Sequence, residues 1–529
     1  MGDQVKNIQK TKIDGSIFLK RPGNYVYLAG TLFYIAIFVK NAWVSEDAYI
    51  LFRSIEQLFA GNGPVWNPHE RVQVFTSPLW YFLNAFIRVF SHDVYINCII
   101  LSLLLCLGVM YVLKHLVNDP MKWLCIVLLL ASSKGFFDFT SSGIENALGY
   151  FLLALFLFYI HRLQLDAEAG TNSYRDCTLL LLCFGLLLIC RHDLLMLIFP
   201  SALLVYWEHR RLPKKKLYRL LVAGLLPIIL WSLFSLLYYG FPFPNTAYAK
   251  LHTGIPRVEV WAQGGKYFLS SLQHDSVTLT ATAVATTILT LSRNRYALSV
   301  AGGILLHLFY IMNVGGDFMQ GRFLSYAYLV SICAAFTFVR ISTKVLAGIM
   351  IGCLVYWLSF ADNPVSAPTN YNKSTYTEAV DKYGIADERG YYFPYSSIWA
   401  YIKQNECIPF PNHPWSIEGL KFRLSKDEVS GFSNIGFYGY WAGTRKVIID
   451  PFALSNPFLA RLPAITPWRI GHFFREFPEG YWDSVLSGRN MLKDPRLRHL
   501  YGEIQNITQG PLWRKERLFA IVMANLDIE

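Results

Sequence analysis

Residues 210–238 read RRLPKKKLYRLLVAGLLPIILWSLFSLLY. The stretch Leu217–Leu237 carries one charge, Arg219, close to its start. At ~1.5 Å per helical residue, ~20 such residues cross the ~30 Å of hydrocarbon in a bilayer. The cations Arg210, Arg211, Lys214, Lys215 and Lys216 crowd one end, as they do on the cytoplasmic side of a membrane span. Cys98–Leu113 and Cys177–Ile189 repeat the pattern. Over 529 residues, 53% are hydrophobic and 16% charged, with mean hydropathy +0.31. Soluble domains hold about 25% charged residues, so disorder, a coiled coil and an ordinary cytosolic enzyme are excluded. The net charge of +12 sits in short loops between apolar runs, which argues for membrane orientation and against nucleic acid.

The same reading marks candidate spans at 24–41, 94–113, 121–137, 147–163, 177–190, 194–208, 217–238, 276–292, 296–312, 323–340 and 344–360. The run Pro78–Phe90 is short and broken by Asn84 and Arg88, and is read as a helix lying on the outer face. A crossing there would invert everything downstream. With about eleven crossings, the loops holding Lys114/Lys122, Arg162/Arg175, 210–219, Arg293/Arg295 and Arg340/Lys344 all fall inside. Lys10, Lys12, Lys20 and Arg21 precede the first run without a small-residue cleavage site, so an uncleaved first span with a cytoplasmic N-terminus is expected. The polar segments 42–93, 138–146, 191–193, 239–275, 313–322 and everything after 361 then lie outside.

Two parts are expected: a membrane module over 1–360 and an extracytoplasmic mixed α/β domain over 361–529. In the second, Lys446–Ile449 and Leu518–Met523 look strand-like, and Asn456–Arg461 and Gly471–Glu476 helix-like. Eight of the nine cysteines lie in or beside apolar runs, and Cys407 alone falls in the polar third, so no disulfide is expected there. The sequon Asn506-Ile507-Thr508 carries no weight by itself.

Ser45-Glu46-Asp47 opens an amphipathic helix in the first outer segment, with Leu51, Ile55 and Leu58 on one face and Arg53, Glu56 and Gln57 on the other. Ser45 is a good N-cap, and acids in a first turn favour the helix dipole. The functional alternative is a carboxylate at the membrane boundary, placed to take a proton from a hydroxyl.

Residues 61–80 continue as GNGPVWNPHERVQVFTSPLW. Here the chain resembles the GT-C glycosyltransferases, integral membrane enzymes that use polyprenyl-phosphate sugars. It is most similar to the actinobacterial cell-wall enzymes that add terminal arabinofuranose from decaprenyl-phospho-arabinose. Their acidic pair is usually Asp-Asp, so Glu46 is a departure and either acid is open as the base. Further matches are Ser142-Gly143-Ile144-Glu145, Arg191-His192-Asp193 (with His192 a departure), Pro244-Asn245-Thr246-Ala247-Tyr248-Ala249-Lys250 and Gly315-Gly316-Asp317-Phe318-Met319 with Gly321-Arg322-Phe323. In the outer part, Gly384–Gly390 and Asp450–Leu454 extend the likeness.

The resemblance implies a GT-C fold and transfer of a pentose, arabinofuranose in the first instance, to an acceptor hydroxyl. Asp47 or Glu46 would be the base. A lipid-linked phosphate needs cations near the outer span ends, where Arg53, Arg191, Lys250 and Arg322 are expected; snorkelling interfacial cations are the plain alternative. Gly315-Gly316 would offer backbone N–H groups to an anion or cap a helix. Glu145 and Asp317 would pair with cations or hold sugar hydroxyls, and Asp193, Asn245 and Tyr248 complete the substrate-binding set. Trp43, Trp66, Phe75 and Trp80 would stack on sugars or belong to an interfacial belt. No metal or cofactor is expected. The acceptor stays open among an envelope glycan, lipopolysaccharide and a surface protein such as pilin. A lipid or solute transporter is the competing class, and predicts midspan charges and related halves. A lipid-binding scaffold without turnover is a third.

Overall fold

The computed structural model describes residues 22–526 apart from 172, 252, 372, 374, 406 and 407. The basic N-terminal residues and Cys407 thus lie outside the described residues. Each candidate span falls on a helix: Pro22–Asn41, Val94–Val117, Pro120–Ser132, Asn146–Glu168, Tyr174–Cys190, Leu195–His209, Lys214–Tyr238, Ser276–Leu291, Arg295–Asn313, Leu324–Phe338 and Thr343–Ser359. Among the described residues, four are long and apolar enough to cross a bilayer: Val94–Val117, Asn146–Glu168, Lys214–Tyr238 and Arg295–Asn313. The Lys214–Tyr238 helix turns Leu225, Ile229, Leu230 and Leu233 outward. Such an apolar exterior fits a bilayer as solvent, and the chain is an integral membrane protein.

The run 121–137 is not one helix. It stops at Ser132 because Ser133 is extended and its hydroxyl caps the next turn through Phe136 N–H. That break turns Lys134 inward to meet Asp387 at 2.9 Å. The Pro78–Arg88 helix has 11 residues, ~16 Å at helical rise, too short to cross. It exposes Phe82 and Phe86.

After the first long helix the chain is stitched to two other segments. Val44 N–H donates to Ser396 O and Ser45 N–H to Ser142 O. Ser45 then caps the Glu46–Phe59 helix through Ala48 N–H. Beyond 361 the described residues form short helices and one pair of parallel strands, Val429–Gly431 with Val447–Ile449. The Ile435–Ala442 helix is their crossover. Leu518–Met523 is helical, within Lys515–Leu526, because its apolar residues pack with a helical period; Gly471–Glu476 is extended, opened by a left-handed Gly471 with φ 76°. Asn456–Arg461 yields only a short 3-10 turn at Leu459–Arg461. One buried apolar cluster joins Trp43 and Trp66 to Tyr392, Phe437 and Ile448, so the packing runs across residue 360.

Candidate active site

A cavity lies where these stitched segments meet. The Glu46–Phe59 helix lines it with Glu46 and Asp47, the Asn245–Leu251 helix with Lys250, and the 315–322 loop with Phe318. The segment after 361 adds Glu388, Tyr376, Asn434 and His472. Its volume is about 30 Å³, close to the share of one liquid water.

The two adjacent acids have different surroundings. Glu46 is buried, and its Oε1 accepts the Phe437 N–H at 3.1 Å. This is the first turn of the crossover helix, where unpaired N–H groups and the dipole favour a carboxylate. A Cβ on Gly436 would stand 2.7 Å from the Glu46 carboxyl carbon, so a glycine is needed for that approach. Burial and the neighbouring Asp47 push the Glu46 carboxyl up to about 8, against the opposing pull of the Phe437 and Gly436 N–H groups. Asp47 is half-buried and faces the cavity. Burial raises its pKa as well, opposed by the positive charges of Lys250 and Arg322. Among the described residues Lys250 enters no ion pair; its ammonium lies 5.5 Å from the Phe318 ring centroid.

An ion network stands beside this cavity. Glu145 Oε1 accepts from Arg191 Nη1 at 2.6 Å and from Arg322 Nη2 at 3.1 Å. Arg191 also grips Asp193 through two bonds, 2.8 and 2.9 Å. Arg322 Nη1 lies 3.5 Å from Asp317 Oδ2, and its Nε is buried without a hydrogen-bond partner. Burial works against the Glu145 charge, yet Arg191 and Arg322 outweigh it and hold the carboxyl below its usual range.

The structure therefore brings Asp47, Glu46 and Lys250 to one cavity, with Glu145, Arg191, Asp193, Asp317 and Arg322 in the network beside it. Four expected site residues go elsewhere. Arg53 is buried and donates to the carbonyls of Trp66, Gly443 and Lys446 at 3.2, 2.7 and 2.7 Å, and to Gly439. It ties the Glu46–Phe59 helix to the end of the crossover helix. Asn245 donates to the Ala453 and Leu454 carbonyls at 2.8 and 3.0 Å. Tyr248 packs between Phe241 and Arg461. Gly316 N–H is bonded to Ile311 O at 2.9 Å, closing the Arg295–Asn313 helix, so the glycine pair caps a helix and does not offer its N–H groups to an anion. Trp43, Trp66, Phe75 and Trp80 are at most 3% exposed and cannot stack on a sugar as they stand.

Tyr376, Asn434, Glu388 and His472 line the cavity without having been singled out in the sequence, and the last two are titratable. Glu388 is 6% exposed, and burial together with Asp47 drives its pKa well above the carboxylate range. The signal was its place in the Gly384–Gly390 segment. His472 stacks edge-on against Phe318 and Phe452 at 4.5 and 5.0 Å. Burial, then the Arg469 charge, lowers it to about 3, so it is neutral. Nothing local in the sequence announces it.

No protein-family model matches the chain. A protein of Mycobacterium tuberculosis named terminal beta-(1->2)-arabinofuranosyltransferase is 24% identical, covering 83% of this chain and 82% of its own length. A Corynebacterium glutamicum protein of the same name is 28% identical over 53% of this chain and 46% of its own. Among solved structures, the Archaeoglobus fulgidus oligosaccharyltransferase aligns with TM-score 0.46 and 12% identity, over 83% of this chain and 65% of that one. ArnT from Cupriavidus metallidurans, bound to undecaprenyl phosphate, aligns with TM-score 0.47 and 12% identity, over 82% and 86%. By sequence, then, the chain is a relative of glycosyltransferases named terminal beta-(1->2)-arabinofuranosyltransferase.

Proposed function

We propose that this chain is a GT-C glycosyltransferase that moves a pentose, arabinofuranose in the first instance, from a polyprenyl phosphate to an acceptor hydroxyl. The acceptor belongs to an envelope glycan, lipopolysaccharide or a surface protein. The membrane module 1–360, with about eleven crossings and a cytoplasmic N-terminus, would hold the donor; the outer part 361–529 would close over it. The relatives' name supports the sugar, and ArnT's undecaprenyl phosphate supports a lipid phosphate as the donor's carrier.

One observation carries the mechanism: Asp47 faces the cavity within the field of Lys250 and Arg322, while Glu46 is occupied by the Phe437 N–H. Asp47 would take the acceptor proton as the oxygen attacks the anomeric carbon. The bond from that carbon to the phosphate oxygen breaks, and polyprenyl phosphate leaves. Charge grows on the phosphate, so a cation held there lowers the barrier. Lys250, in no ion pair among the described residues, is the group best placed to do so, and Arg322 supports it from the network.

Asp47→Asn keeps the shape and removes the base, and should cost ~10²–10⁴ in rate with folding intact. Glu46→Gln can still accept from Phe437 N–H and should keep most of its turnover. Loss in Glu46→Gln with near-normal Asp47→Asn would move the base to Glu46. Normal turnover in both would remove the mechanism.

A further inference from the structure

The Lys515–Leu526 helix divides its residues sharply between two faces. On one, Arg517 is fully buried and donates to the carbonyls of Leu237 and Tyr238, each at 2.9 Å, and to Ile507 at 2.7 Å. Leu237 and Tyr238 end the Lys214–Tyr238 helix, one of those long enough to cross the membrane. Ile521 packs beside Gly240, and Asn525 donates to the Gly240 carbonyl at 2.9 Å. The opposite face is open. Phe519, Val522 and Leu526 are 67%, 54% and 74% exposed, and Trp513, just before the helix, is 75% exposed. Spacings of three and four put the helical trio on one stripe.

We propose that this helix is an in-plane anchor, its apolar stripe seated between the headgroups and acyl chains of the outer leaflet. Depth supports this. Arg517 ties the helix to the last residues of a crossing helix, where the headgroup layer begins; that layer is only about 5–8 Å thick on each side, less than a helix diameter of about 10 Å. Continuity supports it too, because Leu230, Leu233 and Leu237 of the crossing helix are themselves exposed and lead up to the attachment point. The composition also suits the place. A tryptophan and an apolar stripe beside cations is the pattern of helices lying in a membrane interface. Lys515 and Arg514 are exposed at the start, Arg514 also meeting Glu516 at 3.0 Å. The proposal rests on the membrane reading and not on the catalytic one.

The test uses the full chain in vesicles of phosphatidylcholine with phosphatidylglycerol. Nitroxide labels are attached to Phe519→Cys and Val522→Cys, and to His499→Cys as a control on an exposed side chain. The eight described cysteines are buried, and the unsubstituted chain supplies the labelling background. Labels at 519 and 522 should collide more with oxygen than with a water-soluble nickel chelate, and the label at 499 the reverse. Chelate access at 519 and 522 equal to that at 499 would overturn the proposal. So would spin–spin broadening removed by dilution with unlabelled chain, since the stripe would then cover a second copy. Since both labelled positions are exposed, misfolding is not the expected cost; a label that does unfold the chain is replaced by one at Leu526, read in the same way.

Discussion

Replacing Lys250 by Met removes a positive charge while keeping an unbranched side chain of similar reach. Two separable effects follow if Lys250 faces both Asp47 and the donor phosphate. The first is electrostatic. Lys250 is the largest of the charges that oppose the burial-driven rise of the Asp47 pKa. A nearby cation favours the ionised carboxylate and so lowers its pKa. Asp47 acts as a base only when ionised, and its pKa already lies above the usual range, so activity rises with pH through it. Losing Lys250 raises that pKa further, so the acid limb of kcat/KM should move to higher pH. The second effect is binding. A charge-assisted contact is worth roughly 1.5–3 kcal/mol, so the apparent donor KM should rise about tenfold or more, with acceptor KM nearly unchanged. The assay is turnover of decaprenyl-phospho-arabinofuranose by the purified full chain from pH 5 to 9, at varied donor. An unmoved acid limb with a raised donor KM would leave Lys250 as a phosphate ligand only. No change in either would refute the placement of Lys250 in the site.

Three further outcomes are expected. The Glu46 carboxyl sits at about 8 when folded against about 4.5 when free; its stability contribution is complete below the lower value and lost as pH rises through the upper. Glu46→Gln should therefore gain on the parent chain in thermal stability as pH goes from 5 to 8, by on the order of 3–4 kcal/mol, and equal stabilities across that window would contradict the burial argument. Arg322→Lys cannot reach Glu145 and Asp317 together, so melting should show a loss of about 2–5 kcal/mol beside reduced turnover; stability loss with unchanged turnover would make the residue purely structural. A reporter active only outside the cytoplasm should be active when fused after Asp362 and silent after Lys215, and the reverse would invert the topology.

The helices were legible because an apolar run long enough for a bilayer needs no knowledge of its neighbours. The break at Ser133 was less so, since the Lys134–Asp387 contact it permits involves a partner from the far part of the chain. Asp47 could be placed from its position after the first span. That Glu46 is engaged by a backbone donor could not be read locally, because that donor, Phe437 N–H, lies 391 residues away from Glu46. Arg53 misled for the same reason, its carbonyl partners at Gly443 and Lys446 being supplied by a fold the local pattern does not report. Glu388 and His472 join the cavity only through tertiary packing. Leu518–Met523 looked strand-like and is helical, because a short β-branched and aromatic run satisfies both periods.

The most direct measurement follows radiolabelled decaprenyl-phospho-arabinofuranose with the purified full chain in vesicles, supplied with an envelope extract as acceptor. The account predicts that label appears in acceptor material as polyprenyl phosphate is released in equal amount, and that Asp47→Asn abolishes both. Label that crosses the bilayer still attached to its lipid, with no release of polyprenyl phosphate, would contradict it and make the chain a transporter.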